Sequence, residues 1–473
     1  MKNIFYLFYY IILFGGFLVI FSSCYGIGTI SSLLLFYCFI KKIGTKFGTF
    51  SLPFLFLLFF GLYGYCIPIS VICGLDIGEY RLDYISTWSD VDETLISFSL
   101  INHIALVSMI ISYIVFSRNT SEVVSITKKQ EYKDREKNTF VLSYILGIFS
   151  SLFEFVNFIR VGGVTTLLSG KLAYQSSQAD AGLMLPSEIF FYLAVAAFAY
   201  SSSLYHLSKK KTILFFVSIF FYITVNLIIG ERGTFVNALI MFLLGYNFYF
   251  RLFKVKCIYV IVGVVVYFIF AVVTVYRSVF DAGLEVSVGD AVDYVEDRKE
   301  LLVFVLNPAN SEFCTSTLNY RVFLDRHKHT EVEYKYGYSY IHFYSQLLPQ
   351  KINPLYDISE TIKFRDKYFP ERAKGGSTGG TAYSSMYEAY VNWWYYGGVI
   401  VYFIIFYVIL FIEKKCKETT SLYPFFVYVL SFELVLLFHR SAFEYIVVKL
   451  FALLFYSFFT VKFNSLIQLL KKY

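Results

Sequence analysis

The chain has 473 residues, of which 57% are hydrophobic, 21% aromatic and only 16% charged. One water-soluble core cannot bury that much apolar surface, so the composition excludes a soluble protein and predicts an all-α polytopic membrane protein. The formal net charge of +7 does not indicate nucleic-acid binding, because basic residues in a membrane protein set its topology and contact lipid headgroups.

Apolar runs of about 20 residues, enough to cross about 30 Å of hydrocarbon, recur along the chain. The first, residues 3–22, lacks a small-residue cleavage site and is interpreted as a span and not as a signal peptide. The second, residues 26–40, is short, and a re-entrant or tilted segment is an alternative there. The sequence predicts about twelve transmembrane helices, at residues 3–22, 26–40, 50–73, 95–117, 139–158, 187–206, 212–229, 234–250, 257–276, 386–412, 422–438 and 445–467.

The Lys and Arg residues between spans collect after the even-numbered spans. Basic residues near span ends resist translocation, so these connections and both termini are expected to be cytoplasmic. The basic clusters lie at residues 41–46, 118–137, 209–211, 251–256, 414–417 and 471–472.

The predicted spans divide the chain into three parts. Residues 1–276 are expected to form an N-terminal transmembrane bundle of about nine spans, and residues 386–473 about three C-terminal spans. Between them, residues 277–385 are expected to form one large outward-facing loop. Amphipathic runs in this loop, such as 287–306 and 337–348, predict short helices that cap a cavity or lie on the bilayer.

Arginines also occur on the predicted outer side, where the positive-inside rule gives them no topological role. In the motif Gly230-Glu231-Arg232-Gly233, two glycines permit a sharp turn that holds the arginine at the mouth of the bundle. An interfacial arginine that reaches lipid phosphate is the alternative.

A second outer arginine, Arg440, follows His439 at the end of the eleventh predicted span. Glu444 lies four residues further on, at the spacing of neighbours on one helix face. This arrangement predicts that Arg440 binds phosphate.

A glycine-rich stretch, residues 374–381, leads into an apolar helix that carries Glu388 and Asn392. Unpaired N–H groups at a helix N-terminus favour anions, so this stretch, with Lys374 and Ser377, is a candidate anion site. It lacks the spacing of a nucleotide-binding P-loop and follows no predicted strand. An ionisable Glu388 inside an apolar run needs a partner or a function, and a purely structural pairing with an arginine is the alternative.

Together these features resemble the Wzy-type oligosaccharide repeat-unit polymerases, which build O-antigen and capsule. The resemblance rests on many spans with one large outer loop late in the chain and on the turn at 230–233. It also rests on Gly375-Gly376-Ser377 followed by Glu388-Ala389-Tyr390, Asn392 and Gly397-Gly398. It covers nearly the whole chain through short motifs.

The resemblance implies a GT-C-like fold in the bacterial cytoplasmic (inner) membrane, with the active site on the outer, periplasmic face. It implies an inverting glycosyltransferase without metal or other cofactor. Such enzymes transfer a growing glycan from undecaprenyl pyrophosphate to the non-reducing end of a lipid-linked repeat unit. The expected partners are therefore the lipid-linked donor and acceptor, membrane lipids and a chain-length regulator, and no nucleic acid.

This chemistry suits the residues on the outer side. A departing pyrophosphate gains negative charge that fixed arginines can stabilise, and inversion needs a base for the acceptor hydroxyl, with Glu388 ranked before His342. The predicted catalytic residues are Glu388, His342, Arg232 and Arg440. The predicted substrate-binding residues are Arg160, Arg277, Arg321, Arg326, Arg372, Lys374, Ser377, Asn392 and His439.

Two other functions stay open at this point. An O-antigen ligase uses the same donor chemistry with a different acceptor. A polysaccharide flippase or other transporter would also suit about twelve spans, although a transporter seldom carries so large a basic loop on one outer side. No metal site is predicted, because neither the seven Cys nor the His and carboxylate residues follow metal-ligand spacing.

Overall fold

The computed structural model describes residues 25–74, 91–118, 133–168, 177, 184–204, 208–229, 232–248, 320, 334–347, 353–368, 383–418 and 421–470. Within these residues the protein is helical and has no strand. Numbered among the described residues, the helices are α1 (Tyr25–Phe47), α2 (Leu52–Ile72), α3 (Val91–Arg118), α4 (Lys133–Arg160), α5 (Gly163–Leu168), α6 (Ser187–Leu204), α7 (Lys209–Ile229), α8 (Arg232–Tyr246), α9 (Tyr338–Ile341), the 3-10 helix η1 (His342–Gln346), α10 (Glu360–Tyr368), α11 (Ser385–Trp393), α12 (Tyr395–Lys417), α13 (Leu422–Leu430), α14 (Phe432–Leu437) and α15 (Phe443–Leu470).

Seven helices of this described part are long and apolar enough to cross a membrane: α1, α2, α3, α4, α7, α12 and α15. They confirm an all-helical membrane fold. The short second span predicted at 26–40 is in fact a 23-residue helix, α1. The predicted spans at 3–22 and 257–276 lie outside the described residues, and so does the amphipathic run 287–306.

Two predicted spans are each divided into two helices. The span predicted at 386–412 is α11 followed by α12, and the chain turns at Trp394 between them. The span predicted at 422–438 is α13 followed by α14. At this second junction the Ser431 hydroxyl donates to the Val427 carbonyl over 2.6 Å, a contact that competes with helix hydrogen bonds and bends helices.

The helices pack in two groups. α1, α2 and α3 pack with α12, while α4 packs with α6 and α7, and α6 packs with α8. The C-terminal helices join the groups, since α13 contacts α12 and α6, and α15 contacts α4, α6 and α13. One continuous cluster of buried apolar side chains runs through both groups.

The basic ends of several helices lie together. Lys46 at the end of α1 donates to Ser117 near the end of α3 over 3.3 Å. Glu413 near the end of α12 accepts the Leu52 N–H at the start of α2 over 3.0 Å and pairs with Lys417 at 2.5 Å. The opposite end of the fold is where α9, η1 and α11 meet the start of α15.

Candidate active site

Helix α11 carries the central carboxylate of the site. The helix begins after Ser384, whose side chain accepts the Met386 N–H and so caps the helix. Glu388 and Asn392 are four residues apart and lie on one helix face. Both side chains are buried, so their polar groups need partners inside the protein.

Glu388 is 1% exposed and is held from two directions. The Ser339 hydroxyl of α9 donates to Oε1 over 2.6 Å, and the Phe443 N–H at the start of α15 donates to Oε2 over 2.9 Å. Burial raises the pKa of Glu388 to about 7, and the two hydrogen bonds offset part of that rise. Glu388 can therefore exchange a proton near neutral pH.

Asn392 fastens the segment 334–347 onto α11. Its Nδ2 donates to the Ser339 hydroxyl over 2.7 Å and to the Glu388 carbonyl over 2.8 Å. Its Oδ1 accepts the Gly337 N–H over 2.8 Å. The amide therefore positions the hydroxyl that contacts the Glu388 carboxylate.

His342 bridges two further acids. Nδ1 is 2.5 Å from Oε2 of Glu444, and Nε2 is 3.0 Å from Oδ2 of Asp357. The other oxygen of Glu444 accepts the Glu360 N–H over 2.6 Å. Because Glu444 directly follows Phe443, the start of α15 holds both the Glu388 and the His342 parts of the site.

Two lysines balance the carboxylates. Lys335 pairs with Glu360, and Lys363 lies 2.5 Å from Asp357 and 3.3 Å from Glu360. The hydrogen bond from Lys363 lowers the pKa of Asp357. Burial lowers the pKa of Lys335 to about 8, although nearby Glu388 and Glu444 favour its charged form. The cluster therefore combines fixed charges with groups that titrate near neutrality.

His439 lies near the first turn of α11, inside an aromatic cage. It is 2% exposed, its ring is 4.6 Å from that of Phe56 and stacks on Tyr63 at 6.1 Å, and it bonds to the Phe56 backbone. Among the described residues its Nε2 has no hydrogen-bond partner. It lines a small cavity with Ser384, Ser385 and Tyr402. A substrate hydroxyl or a water molecule would fit that position chemically.

Arg440 lies in the turn between α14 and α15, and its N–H bonds to the Leu437 carbonyl over 3.0 Å. The expectation that Arg440 and Glu444 share a helix face is wrong, because α15 begins only at Phe443. The two carboxylate oxygens of Glu444 contact His342 and the Glu360 N–H. Arg440 itself is half-buried.

No described contact joins the other predicted arginines to the cluster around Glu388 and His342. Arg160 is exposed at the end of α4. Arg232 is the first residue of α8, and its side chain is not among the described parts of the structure. Predicted substrate-binding residues that lie outside the described residues are Arg277, Arg321, Arg326, Arg372, Lys374 and Ser377.

The sequence did not indicate several members of the cluster. Ser339, Asp357 and Glu360 are ordinary polar residues of a polar segment, and no local pattern marks them. Glu444 is, like Glu388, an ionisable residue in or beside an apolar run, and that pattern could have indicated it. Within the described part of the chain, no three His, Cys, Asp or Glu side chains are arranged to hold a metal ion.

The comparison with known proteins identifies the family. The family model described as O-antigen polysaccharide polymerase Wzy matches residues 2–467. The chain belongs to this family. No curated protein and no solved structure matches the chain.

Wzy polymerases are glycosyltransferase-like enzymes that act on lipid-linked oligosaccharide repeat units in membranes. Membership therefore supports O-antigen polymerisation over the ligase and flippase alternatives. With the apolar helices, it indicates an inner-membrane protein. In such an enzyme, a buried carboxylate that titrates near neutrality is suited to accept the proton of an attacking sugar hydroxyl.

Proposed function

We propose that this Wzy polymerase transfers a growing glycan from undecaprenyl pyrophosphate to the non-reducing end of a lipid-linked repeat unit, with inversion and without a metal ion. Glu388 is the general base of this proposal. The observation that carries it is the raised pKa of a buried carboxylate held between Ser339 and the Phe443 N–H.

The reaction forms one bond and breaks one. The acceptor hydroxyl oxygen attacks the anomeric carbon from the face opposite the pyrophosphate, and the carbon–oxygen bond to pyrophosphate breaks with its electron pair on the leaving group. The hydroxyl proton passes to Glu388. Pyrophosphate leaves without a proton, so one base suffices and the second carboxylic acid of glycoside hydrolases is dispensable.

The acceptor hydroxyl must reach Glu388 in this proposal. Each carboxylate oxygen has more than one acceptor site, so Glu388 can take a further hydrogen bond while Ser339 and Phe443 stay in place. Because the side chain is buried, an acceptor hydroxyl reaches it only when neighbouring side chains shift, with Ser339 and the Phe443 N–H still in place. His342 is the reserve candidate for the base, although Glu444 and Asp357 occupy both of its ring nitrogens.

Arginines stabilise the leaving group in this proposal. A guanidinium stays charged when partly desolvated and binds two phosphate oxygens at once. At about 4 Å and an effective dielectric of about 20, one contact has a Coulomb energy of about 4 kcal/mol before desolvation. Arg440 and Arg232 take this role. The residues that contact the rest of the substrate are Arg160, Arg277, Arg321, Arg326, Arg372, Lys374 and Ser377. His439 and Asn392 complete the substrate site.

The proposed orientation places both termini in the cytoplasm and the site at the outer face. The domain division at residues 1–276, 277–385 and 386–473 and the GT-C-like architecture with about twelve spans belong to the same proposal. Its support is the separation of the Lys46, Lys417 and Glu413 cluster from the Glu388 cluster at the other ends of the helices.

The glycan phenotype of a deletion strain tests this function. A polymerase mutant retains single capped repeat units, and complementation with the wild-type chain restores the polymer ladder on a gel. Polymer that accumulates on undecaprenyl lipid would instead indicate a ligase, and single units trapped inside the cell would indicate a flippase.

A further inference from the structure

Two exposed aromatic residues share an unusual backbone conformation. Tyr336 has φ 44° and Trp394 has φ 54°, and among the described residues they are the non-glycine residues with positive φ. Tyr336 is 80% exposed and Trp394 47%. A side chain in this region of φ is strained, and such strain persists only where surrounding contacts impose it.

Both residues lie at the C-terminal end of α11. The chain beside Tyr336 is fixed by the Lys335 N–H, which donates to the Val391 carbonyl over 3.0 Å, and by the Gly337 N–H, which donates to Asn392. Trp394 ends α11 itself, and its indole N–H donates to the Tyr390 hydroxyl over 2.9 Å. The backbone on both sides of Tyr336 is therefore held against the same end of α11 at which Trp394 lies.

Close packing holds this end in place. A Cβ on Gly337 would lie 2.6 Å from the Trp393 ring, and a Cβ on Gly397 would overlap the Ala389 carbonyl. Nearby aromatic side chains are already engaged: Tyr383 and Tyr387 are buried, and Trp393 stacks on Tyr340 at 5.3 Å. Tyr338 and Tyr396 of this region are also exposed, but among the described residues Tyr336 and Trp394 are the exposed aromatic residues with positive φ.

We propose that Tyr336 and Trp394 form a stacking subsite for a sugar ring of the acceptor repeat unit. A pyranose presents an apolar face of C–H groups that packs on an aromatic ring, and its hydroxyls need polar neighbours. Lys335, next to Tyr336 in the chain and partly exposed, supplies such a neighbour. This inference rests on the proposed function, because it assigns the acceptor through the proximity of Glu388.

The distance along α11 agrees with an acceptor role. Trp394 lies six residues after Glu388, which corresponds to about 9 Å along a helix. A sugar stacked there belongs to the glycan whose hydroxyl reaches Glu388. Pre-positioned rings lower the entropy that binding must overcome, which gives the strained backbone a function.

The alternative occupant of this surface is the lipid bilayer. Substitution by leucine distinguishes sugar binding from lipid contact. Leucine keeps apolar surface for lipid but has no ring, whereas phenylalanine keeps the ring. The measurement is the affinity of the purified full chain in nanodiscs for the soluble, lipid-free repeat-unit oligosaccharide of its own polysaccharide. Tyr336→Leu and Trp394→Leu should bind about tenfold more weakly or worse, and the Phe variants within about threefold of wild type. Phe455→Leu, at an exposed ring of α15, should change nothing.

A further variant separates binding from folding. Tyr336→Gly removes the ring and also relieves the positive φ, so it should unfold at the wild-type temperature or above while losing affinity like the Leu variant. Wild-type affinity in the Leu and Gly variants, or no binding by the wild type at millimolar oligosaccharide, would overturn the subsite. The polymer ladder of the wild-type chain reports separately on the proposed function, so a restored ladder with unchanged Leu variants would overturn the subsite alone.

Discussion

Two carboxylates of the site differ in how the protein sets their pKa. Asp357 is partly exposed, and Lys363 lowers its pKa, so it stays ionised. Glu388 is buried, and burial raises its pKa to about 7. Environments that separate the pKa values of neighbouring acids assign them different roles. Asp357 is thus a fixed charge beside His342, and Glu388 is the group that exchanges a proton.

The pH dependence of the rate follows from this difference. A base acts in its deprotonated form, so kcat/KM for polymerisation should rise with pH and level off above about 7. Ser339→Ala removes a hydrogen bond that lowers the pKa of Glu388, so the rise should move to higher pH. Initial rates of the purified enzyme between about pH 5 and 9 measure both curves. Identical curves for wild type and Ser339→Ala would argue against Glu388 as the titrating group.

Arg440 tests the proposed stabilisation of the leaving group. Arg440→Ala should lower the rate about a hundredfold or more, because a charge-assisted contact is lost in the transition state. Arg440→Lys should recover only part of the rate, since the charge stays but the paired N–H geometry does not. Polymer length at matched protein level is the readout. Arg365→Ala, at an arginine paired with its neighbour Asp366, is the control, and a normal ladder from Arg440→Ala would make Arg440 a lipid anchor.

At the level of elements, the break between α11 and α12 forms the site. A continuous helix over 386–412 would carry Glu388 and Asn392 along the same axis as α12. The turn at Trp394 instead lays α11 against segment 334–347 and the start of α15. The sequence Trp393-Trp394-Tyr395-Tyr396 contains no Gly or Pro, so no local signal marks this break. The break depends on the close approach of Gly397 to Ala389.

Gly397→Ala should disrupt the packing between α11 and α12 at this break. Its Cβ would overlap the Ala389 carbonyl, and backbone yields less readily than a side chain, so the cost should reach at least the roughly 1–3 kcal/mol of core overpacking. Gly398→Ala is the matched control, because its Cβ would lie 3.3 Å from side-chain atoms of Ile101 and Ile104 and no closer than 3.6 Å to backbone, at the Ile101 carbonyl. Thermal unfolding in detergent and polymer length should both fall in the first variant and change little in the second. Equal stability of the two variants would refute the packing argument.

The predictable part of the structure is the part set by local pattern. Long uniform apolar runs predicted α2, α4, α7 and α15 to within a few residues of their observed bounds. Glu388 and Asn392 were recognisable as polar residues four apart in an apolar run. Ser339 and Asp357 were not, because their partners lie far along the chain and only folding brings them together.

At the scale of the whole molecule, the Lys and Arg asymmetry predicts the orientation. A reporter fused after Lys211 or Lys256 should report a cytoplasmic location, and one near Lys328 an external location, because basic connections resist translocation. Paired reporters, one active only in the cytoplasm and one only outside it, measure this directly. Opposite results would place the Glu388 cluster on the cytoplasmic side and would contradict the proposed mechanism.

The central claim is that Glu388 is the base of a metal-independent polymerase. The most direct measurement is polymerisation of lipid-linked repeat units by purified chain in proteoliposomes with EDTA present. Glu388→Gln can keep the contacts with Ser339 and Phe443 but accepts no proton, so its rate should fall about a hundredfold or more at unchanged unfolding temperature. Glu418→Gln, at an exposed carboxylate paired with Lys415, should keep the wild-type rate. Wild-type polymerisation by Glu388→Gln, or loss of all polymerisation in EDTA with recovery on adding magnesium, would contradict the account.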